Sequence, residues 1–434
     1  MYKLPKGTYD VLPEEIKKWQ RLENFLHRIM SLYNYDEIRT PIFEESAVFH
    51  RNADDSSDVV NKETYDFIDR GKRSMTLRPE GTAGVIRSFI ENKMYAQNNL
   101  TRLYYIGPQF RYENPQKGRF RQFSQFGFEA IGSQAPELDA EVISLTYNII
   151  TRLQIPNTKV KVNSLGDKTS RDNYREALVS YFKGFISRLC SDCLKRIEKN
   201  PLRLLDCKSC RKEDFFKDVP LINDYLSTEA KQRFQTVLAN LDAIGIKYEV
   251  DNFLVRGLDY YAHTVFEIET EEALGSQNVL GGGGHYDRLV SDLKGPALEG
   301  IGVAFGMERL LLVMDHYKLI NLPEQFVHFY LLPLGEDAKK KASELLNTLR
   351  MGGLICETDY NNRSFKANLN NADKLNSRFI GILGSDELNN NEITIKNQKT
   401  KTQEKISLNA LYDYLKTAFT PQHSCNSSCR KEKE

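Results

Sequence analysis

At 434 residues the chain exceeds the size at which a single hydrophobic core usually stops growing, so two or three domains are expected. Hydrophobic residues at 40% and charged residues at 27%, with 23 Phe and 22 Tyr, exclude a chain disordered throughout, and no apolar run approaches the roughly 18 residues of a membrane span. A formal net charge of +1 excludes a general basic coat, so any contact with nucleic acid must rest on local patches; the N-terminal MYKLPKGTYDVLPEE lacks a signal peptide's apolar stretch, and a cytoplasmic location is expected.

After the turn-like PKGTYDVLP, residues Ile16, Trp19, Leu22, Phe25, Ile29 and Leu32 recur at helical spacing and predict an amphipathic helix. In YDEIRTPIFEE, Ile38, Pro41 and Ile42 predict a short extended piece, because a residue before proline is pushed out of the helical region. TLRPEGT, Thr76 to Thr82, reads as a strand end leading into the helix-like TAGVIRSFIENKM. Two aromatic-rich extended stretches follow, Leu100 to Tyr112 and Phe123 to Gly132, joined by ENPQKGRFRQ as a hairpin with a long loop. Alternation puts Phe126, Phe128 and Ala130 on one face of the second strand. Phe123, Gln125, Gly127 and Glu129 fall on the other, which resembles the floor of a polar small-molecule pocket.

From about Lys168 the pattern turns helical and charged, predicting an inserted domain over 168–248 that splits the first module into 1–167 and 249–322. Extended patterns resume at DNFLVRGLDYYAHTVFEIE, then come the glycine run Gly281 to Gly284 and GIGVAFGMERLLLVM, a strand passing into a helix at Gly306. Past a linker at Leu322-Pro323, strand and helix alternate over 326–418 as a compact α/β domain, with one helix ending at Gly352-Gly353. Residues 421–434 carry too little apolar matter to fold and predict a disordered tail.

Chemistry concentrates in a few places. Arg111 lies inside the first aromatic strand and needs an anion there, either an internal partner, Glu113 or Glu129, or a phosphate matching its planar fork. Glu80 and Thr82 stand near a helix N-terminus, where capping alone can account for them. The glycine run permits positive φ and close approach to a ligand, or a plain irregular turn; it is no Walker loop, lacking the lysine and hydroxyl of GxxxxGK[ST]. Cys190/Cys193 and Cys207/Cys210 have CxxC spacing suited to a tetrahedral structural zinc, although the stretch between the pairs is shorter than in zinc ribbons, and reduced unliganded thiols are the alternative. Cys356, in an apolar strand, reads as buried packing.

GPQFRYENPQKGRFRQFSQFGFEAIG resembles motif 2 of the class II aminoacyl-tRNA synthetases, and GIGVAFGMERLLLVM resembles their motif 3, with Arg309 as its arginine. YDEIRTPIFEE resembles motif 1, the dimer-interface segment. LVRGLDYY and GGGGHYDRLV are similar to the two signature segments of the histidine-specific family, which TLRPEGT also matches. The resemblance implies an α+β catalytic domain on an antiparallel sheet, the class II synthetase fold, with a helical insertion and a C-terminal α/β anticodon-binding domain. It implies ATP-dependent ligation of histidine to its tRNA through an adenylate, by a homodimer using Mg²⁺, with no membrane partner.

Carried over by position, the resemblance gives catalytic roles to Arg111, Arg256 and Arg309. Arg111 would meet the ATP α-phosphate, Phe123 would stack on adenine, and Arg309 would lie against the nucleotide near adenine and the γ-phosphate. Glu80, Thr82 and Gln125 would hold the histidine α-amino group, Glu129 and Tyr261 would read the imidazole, and Tyr286 would close the pocket. Arg256 would sit between the substrate carboxylate and the α-phosphate. His285 departs from the arginine of many relatives and receives no role. An alternative class is the non-catalytic, synthetase-like regulatory subunit of ATP phosphoribosyltransferase; such relatives generally lack the anticodon-binding domain and parts of motifs 2 and 3, whereas 326–418, Arg111 and Arg309 are present here. A zinc-ribbon nucleic-acid module would leave the polar strand face unexplained.

Overall fold

The structure, a computed structural model, describes residues 2–51, 63–271 and 278–419. Two compact units emerge, Met1–Leu322 and Pro323–Glu434. The tail expected at 421–434 lies outside the described residues.

Helix α1 (Pro13–Leu32) starts on a proline, whose missing N–H is no loss at a helix start, and carries Glu14 and Glu15 at its positive end. Its buried stripe is Trp19, Leu22, Leu26, Ile29 and Met30, while Ile16 and Leu32 end up exposed near the two ends. YDEIRTPIFEE supplies two short strands, β1 (Asp36–Glu37) and β2 (Phe43–Glu45), on either side of Pro41. β2 joins β3 (Tyr65–Ile68) and β4 (Ser74–Leu77) in a three-stranded sheet ordered β2-β4-β3, and α2 (Thr82–Glu91) follows.

The hairpin is β5 (Thr101–Phe110) and β6 (Gln122–Ile131), paired antiparallel from Thr101 opposite Ile131 to Phe110 opposite Gln122. Arg111 is therefore not inside a strand but one residue past it, where its backbone N–H bonds the Arg121 carbonyl across the loop mouth. After α3 (Pro136–Arg152) come β7 (Thr158–Ser164), α4 (Lys168–Lys183), α5 (Ser191–Lys199) and α6 (Thr228–Ala243). β8 (Tyr248–Val250), β9 (Tyr261–Thr270), β10 (Val279–Tyr286), β11 (Gly300–Gly306) and α7 (Met307–His316) complete the unit. The eight-stranded sheet runs β1-β5-β6-β11-β10-β9-β7-β8. Its six inner strands are antiparallel, and β1 and β8 pair parallel at the edges.

One face of this sheet, with Phe126, Phe128, Val162 and Phe266, is buried in a single core against α1, α3, α6 and α7. α6 lies in the stretch 168–248 expected to be an insertion, yet Phe234, Val237 and Leu241 pack into this main core. The rest of that stretch has a core of its own, with Tyr174, Leu178, Phe182, Phe215, Phe216 and three of the clustered cysteines. The opposite face carries Tyr105, Tyr261 and Tyr286 packed with Val85, Ile86 and Phe89 of α2.

Gly281 to Gly284 form neither a turn nor a positive-φ loop; they are the middle of β10, with irregular register on both sides of the run. Bare Cα atoms are needed there for close approach rather than for turning. A Cβ on Gly283 would fall 1.9 Å from the Gly302 carbonyl oxygen, and one on Gly281 would enter the Phe305 ring.

In the second unit β12 (Phe329–Pro333) is followed by α8 (Glu336–Met351), β13 (Cys356–Thr358), α9 (Phe365–Lys374), β14 (Phe379–Leu383), β15 (Glu392–Asn397), β16 (Gln403–Ser407) and α10 (Leu411–Phe419). The sheet order is β13-β12-β14-β15-β16, parallel among the first three strands and antiparallel beyond. Gly353, at φ +87, takes the left-handed conformation just past α8 that favours glycine.

Candidate active site

A cavity of about 560 Å³ in the first unit is lined by Glu80, Thr82, Arg111, Phe123, Gln125, Arg256, Tyr261 and Arg309, eight of the residues singled out in the sequence. The antiparallel strands converge them: Phe123 and Gln125 stand on β6, Tyr261 on β9, and Arg309 in the first turn of α7 just after β11.

Arg111 donates from Nε to the Pro79 carbonyl at 2.8 Å, and its guanidinium carbon lies 5.2 Å from the centre of the Phe123 ring. Neither carboxylate considered as an internal partner takes it: Glu113 pairs with Arg119 at 3.2 Å, and Glu129 bonds to Thr82 and Tyr286. Among the described residues Arg111 has no ion pair. Arg309 is fixed by the Val279 carbonyl at 2.7 Å and the Gly118 carbonyl at 3.3 Å. Burial above all, with Arg119 and Arg111 adding repulsion and Glu113 and Glu267 opposing it, pulls its guanidinium down to about 10.

Arg256 is paired with Glu267, a wall residue of the same cavity and a carboxylate that sequence reasoning missed. Burial works against the guanidinium's charge, but Glu267 and then Tyr261 hold its pKa above the ordinary value. Glu267 sits on β9 with period-2 spacing from Glu269, so the alternating acids of VFEIETE were the available signal. Glu269 is bridged to Lys161 at 3.1 Å in the same wall.

Glu80 both lines the cavity and caps α2, accepting the backbone N–H of Thr82 at 2.6 Å and of Ala83 at 2.8 Å. Gln125 is buried, and its Oε1 has no hydrogen-bond partner among the described residues. An orphaned acceptor at a cavity wall suits a donor from a ligand.

Of the residues given a substrate or nucleotide role from the sequence, Glu129 and the buried Tyr286 do not line the cavity. Glu129 is fully buried behind Thr82, accepting from the Thr82 hydroxyl at 2.7 Å and the Tyr286 hydroxyl at 3.1 Å. Burial pushes its carboxyl up to about 8, the bonds from Thr82 and Tyr286 opposing and the charge of Glu80 adding to the rise. The bare side of Gly127 does not face a ligand either. Tyr105, from the facing strand, fills it, and a Cβ there would lie 2.4 Å from the ring.

His285 points to the other side of β10 from Tyr286, into a buried set of charges. Its Nδ1 is 3.0 Å from Asp139 and its Nε2 2.7 Å from Glu299, and Asp139 also takes Arg233 of α6 at 3.0 Å and the Thr264 hydroxyl at 2.7 Å. Tetrad residues Cys190, Cys193, Cys207 and Cys210 come together, with all four sulfurs within 4.8 Å of one another.

Two family models match the chain: "Histidyl-tRNA synthetase" over residues 7–166 and 202–310, and "Anticodon binding domain" over 328–418. A histidine–tRNA ligase of Acholeplasma laidlawii is 50% identical over 95% of this chain and 98% of its own. One from a Geobacillus species is 48% identical over 96% and 99%. The solved structure of apo S. aureus histidyl-tRNA synthetase superposes with a TM-score of 0.81 at 42% identity, covering 96% of this chain and all of that one. Sequence and fold agree over nearly the full length of both units, and the chain belongs to the histidyl-tRNA synthetase family.

Proposed function

We propose that this protein ligates histidine to its tRNA in two steps, using ATP to form histidyl-adenylate with release of pyrophosphate and then transferring the histidyl group with release of AMP. The observation that carries this reading is the juxtaposition in one cavity of Arg111, which has no carboxylate partner among the described residues, two further arginines, Arg119 and Arg309, and the ring of Phe123. A flat ring beside concentrated positive charge is complementary to a purine bearing phosphates.

In this reading Arg111 meets the α-phosphate, Phe123 stacks on adenine, and Arg309 holds the nucleotide toward its γ-phosphate. Adenylate formation brings a carboxylate oxygen against phosphorus while pyrophosphate leaves in line, so two anions must be held together. Fixed cations in a water-poor cavity reduce that repulsion without reorganising during the step. Arg256 is suited to the carboxylate, Glu267 keeping its fork charged and oriented from behind. The unpartnered Oε1 of Gln125, with Glu80 and Thr82 beside it, suits the α-amino group. Tyr261 at the wall, and Glu129 with Tyr286 behind it, form the side that reads imidazole, and reading it directly at Glu129 means exchanging the Thr82 or Tyr286 bond for one from the ligand. A terminal ribose hydroxyl of tRNA then attacks the mixed anhydride.

Mg²⁺ accompanying ATP would neutralise charge on the leaving phosphates, and the oxygen donors of Glu267 and Glu269 are the ligand type that a hard cation takes. The loop Lys117 to Arg121 and the second unit are the proposed contacts with the tRNA acceptor end and anticodon. A homodimer through the motif 1 region is supported by the exposed Ile42, Phe43, Phe67 and Ile68 on and beside the three-stranded sheet. Among the described residues no helix is long and apolar enough to cross a membrane, and a cytoplasmic location is part of the proposal. The regulatory-subunit alternative is the weaker one, because the chain matches the anticodon-binding family model and keeps Arg111 and Arg309.

Histidine-dependent exchange of labelled pyrophosphate into ATP by the purified chain tests this. Exchange that appears with histidine and not with other amino acids is expected; its absence refutes the reading.

A further inference from the structure

LVRGLDYY, Leu254 to Tyr261, lies against the cavity, but its backbone up to Tyr261 belongs to no long strand or helix. Glu267 holds the Arg256 side chain, but the backbone that carries it needs support from other segments. Asn163 of β7 donates to the Leu254 carbonyl at 3.0 Å, and the part around Arg256 is met by a segment from between the two cysteine pairs: Asn200 donates from Nδ2 to Asp259 at 3.2 Å, and Arg203 donates from Nη1 to the Arg256 carbonyl at 3.2 Å. That segment is itself only a one-turn helix, Pro201–Leu204, after α5. Both its ends run into the cysteine cluster. Cys190 and Cys193 open α5, and Cys207 and Cys210 follow the turn.

The cluster has the dimensions of a metal site. Four sulfurs at about 2.3 Å from a central zinc lie about 3.8 Å apart. The Cys190 and Cys207 sulfurs are 3.7 Å apart, all four fall within 4.8 Å of one another, and three of the cysteines are buried. The described cysteines are all free thiols, so this tie is not made by disulfides. An all-sulfur, closed set of four ligands selects a soft or borderline cation such as zinc over magnesium or calcium.

We propose that these four cysteines bind one Zn²⁺ and that the zinc-closed segment Leu194–Asp206 is the buttress of the active-site wall, with Asn200 and Arg203 acting as positioning residues for Arg256 through Asp259 and the Arg256 carbonyl. The proposal rests on the histidine-activation reading only for its kinetic consequence. Its two structural parts, the metal and the buttress, stand on the geometry of the insertion.

The full-length protein from zinc-supplemented cells is analysed for metal and for backbone hydrogen exchange, beside Cys207→Ser and Asn200→Ala. About one zinc per chain is expected in the wild type and in Asn200→Ala, and less than a tenth of that in Cys207→Ser. Exchange across 254–261 should quicken in both variants, about tenfold for Asn200→Ala, which loses a hydrogen bond to a charged group. In the pyrophosphate exchange assay Asn200→Ala should raise KM for histidine about tenfold. A wild type without zinc overturns the metal site. Zinc present with unaltered exchange at 254–261 in both variants overturns the buttress. Should the wild type show no histidine-dependent activity, the reaction reading fails, and metal content with hydrogen exchange still decides this proposal; Asn200→Ala keeps the test in force if Cys207→Ser does not fold.

Discussion

Replacing Glu129 by glutamine removes one buried ionisation while keeping the shape and both hydrogen bonds of the site. Glutamine can accept from the Thr82 hydroxyl as Glu129 does, and can donate to the Tyr286 oxygen where the carboxylate accepts. In the folded protein the carboxyl is pushed up to about 8 from an ordinary 4.5. At about 1.4 kcal/mol per pH unit that interval corresponds to roughly 5 kcal/mol, with no discount for solvent because the side chain is fully buried. A folded value above the unfolded one gives stability that is complete below pH 4.5 and is lost as pH rises to about 8. Wild type should therefore fall behind Glu129→Gln progressively from pH 5 to 8.5, by roughly 5 kcal/mol in total, and hold a constant difference beyond. Urea unfolding of the two proteins at pH 5, 6, 7, 8 and 9, followed by a signal from the first unit, measures this. Equal pH dependence would show that Glu129 is not held protonated, and the account of its burial would be wrong. The same variant should bind histidine about tenfold more weakly in an exchange assay at pH 9, where Glu129 is ionised and a neutral amide replaces a charge-assisted acceptor.

Arg111→Ala should lower kcat for pyrophosphate exchange by about 10² to 10³, the scale for removing a preorganised charge from a reacting centre, with thermal stability little changed because its side chain makes one hydrogen bond to the backbone, a contact with the Phe123 ring and no ion pair among the described residues. Arg256→Ala should abolish adenylate formation while leaving tRNA binding intact in a filter assay. Glu267→Gln should keep measurable activity, and an inactive Glu267→Gln would mean that the pair, not the arginine alone, is required. For His285, burial opposes the charge but Asp139 and Glu299 outweigh it, so its pKa is raised above 6.5. Its contribution to stability is complete below pH 6.5 and lost as pH climbs through the raised value, so His285→Gln should be most destabilising relative to wild type at pH 6 and less so at pH 9, read from unfolding midpoints.

Much of the site was legible because strand alternation is strict. Once Phe126, Phe128 and Ala130 were assigned to a core, Phe123, Gln125 and Glu129 had to share the other face, and they do. Partners distant in sequence were not legible. Nothing local says that Tyr105 fills the space above Gly127, that Glu267 meets Arg256, or that Asn200 reaches Asp259, since these contacts join residues that only the sheet order and the insertion bring together. Glycines misled for a related reason. A run of four looks like a turn, but in β10 each bare Cα accommodates a neighbour identified only by the completed sheet. Helix α6 was assigned to the insertion because its charges resemble those of its neighbours in sequence, whereas Phe234, Val237 and Leu241 bind it to the main core.

The gathering of Arg111, Arg119 and Arg309 has a bearing on the end of the reaction as well as its start. Arg111, which has no ion pair among the described residues, and the half-buried Arg309 beside it are complemented best by a compact, highly charged anion, and in the proposed chemistry that is the departing pyrophosphate rather than ATP. Such a pocket tends to retain its own leaving group. Activation then runs readily in reverse, which is why exchange of pyrophosphate is a sensitive probe. Net progress depends on pyrophosphate being removed from solution, and competitive product inhibition against ATP that weakens as ionic strength rises is the expected mark of these arginines.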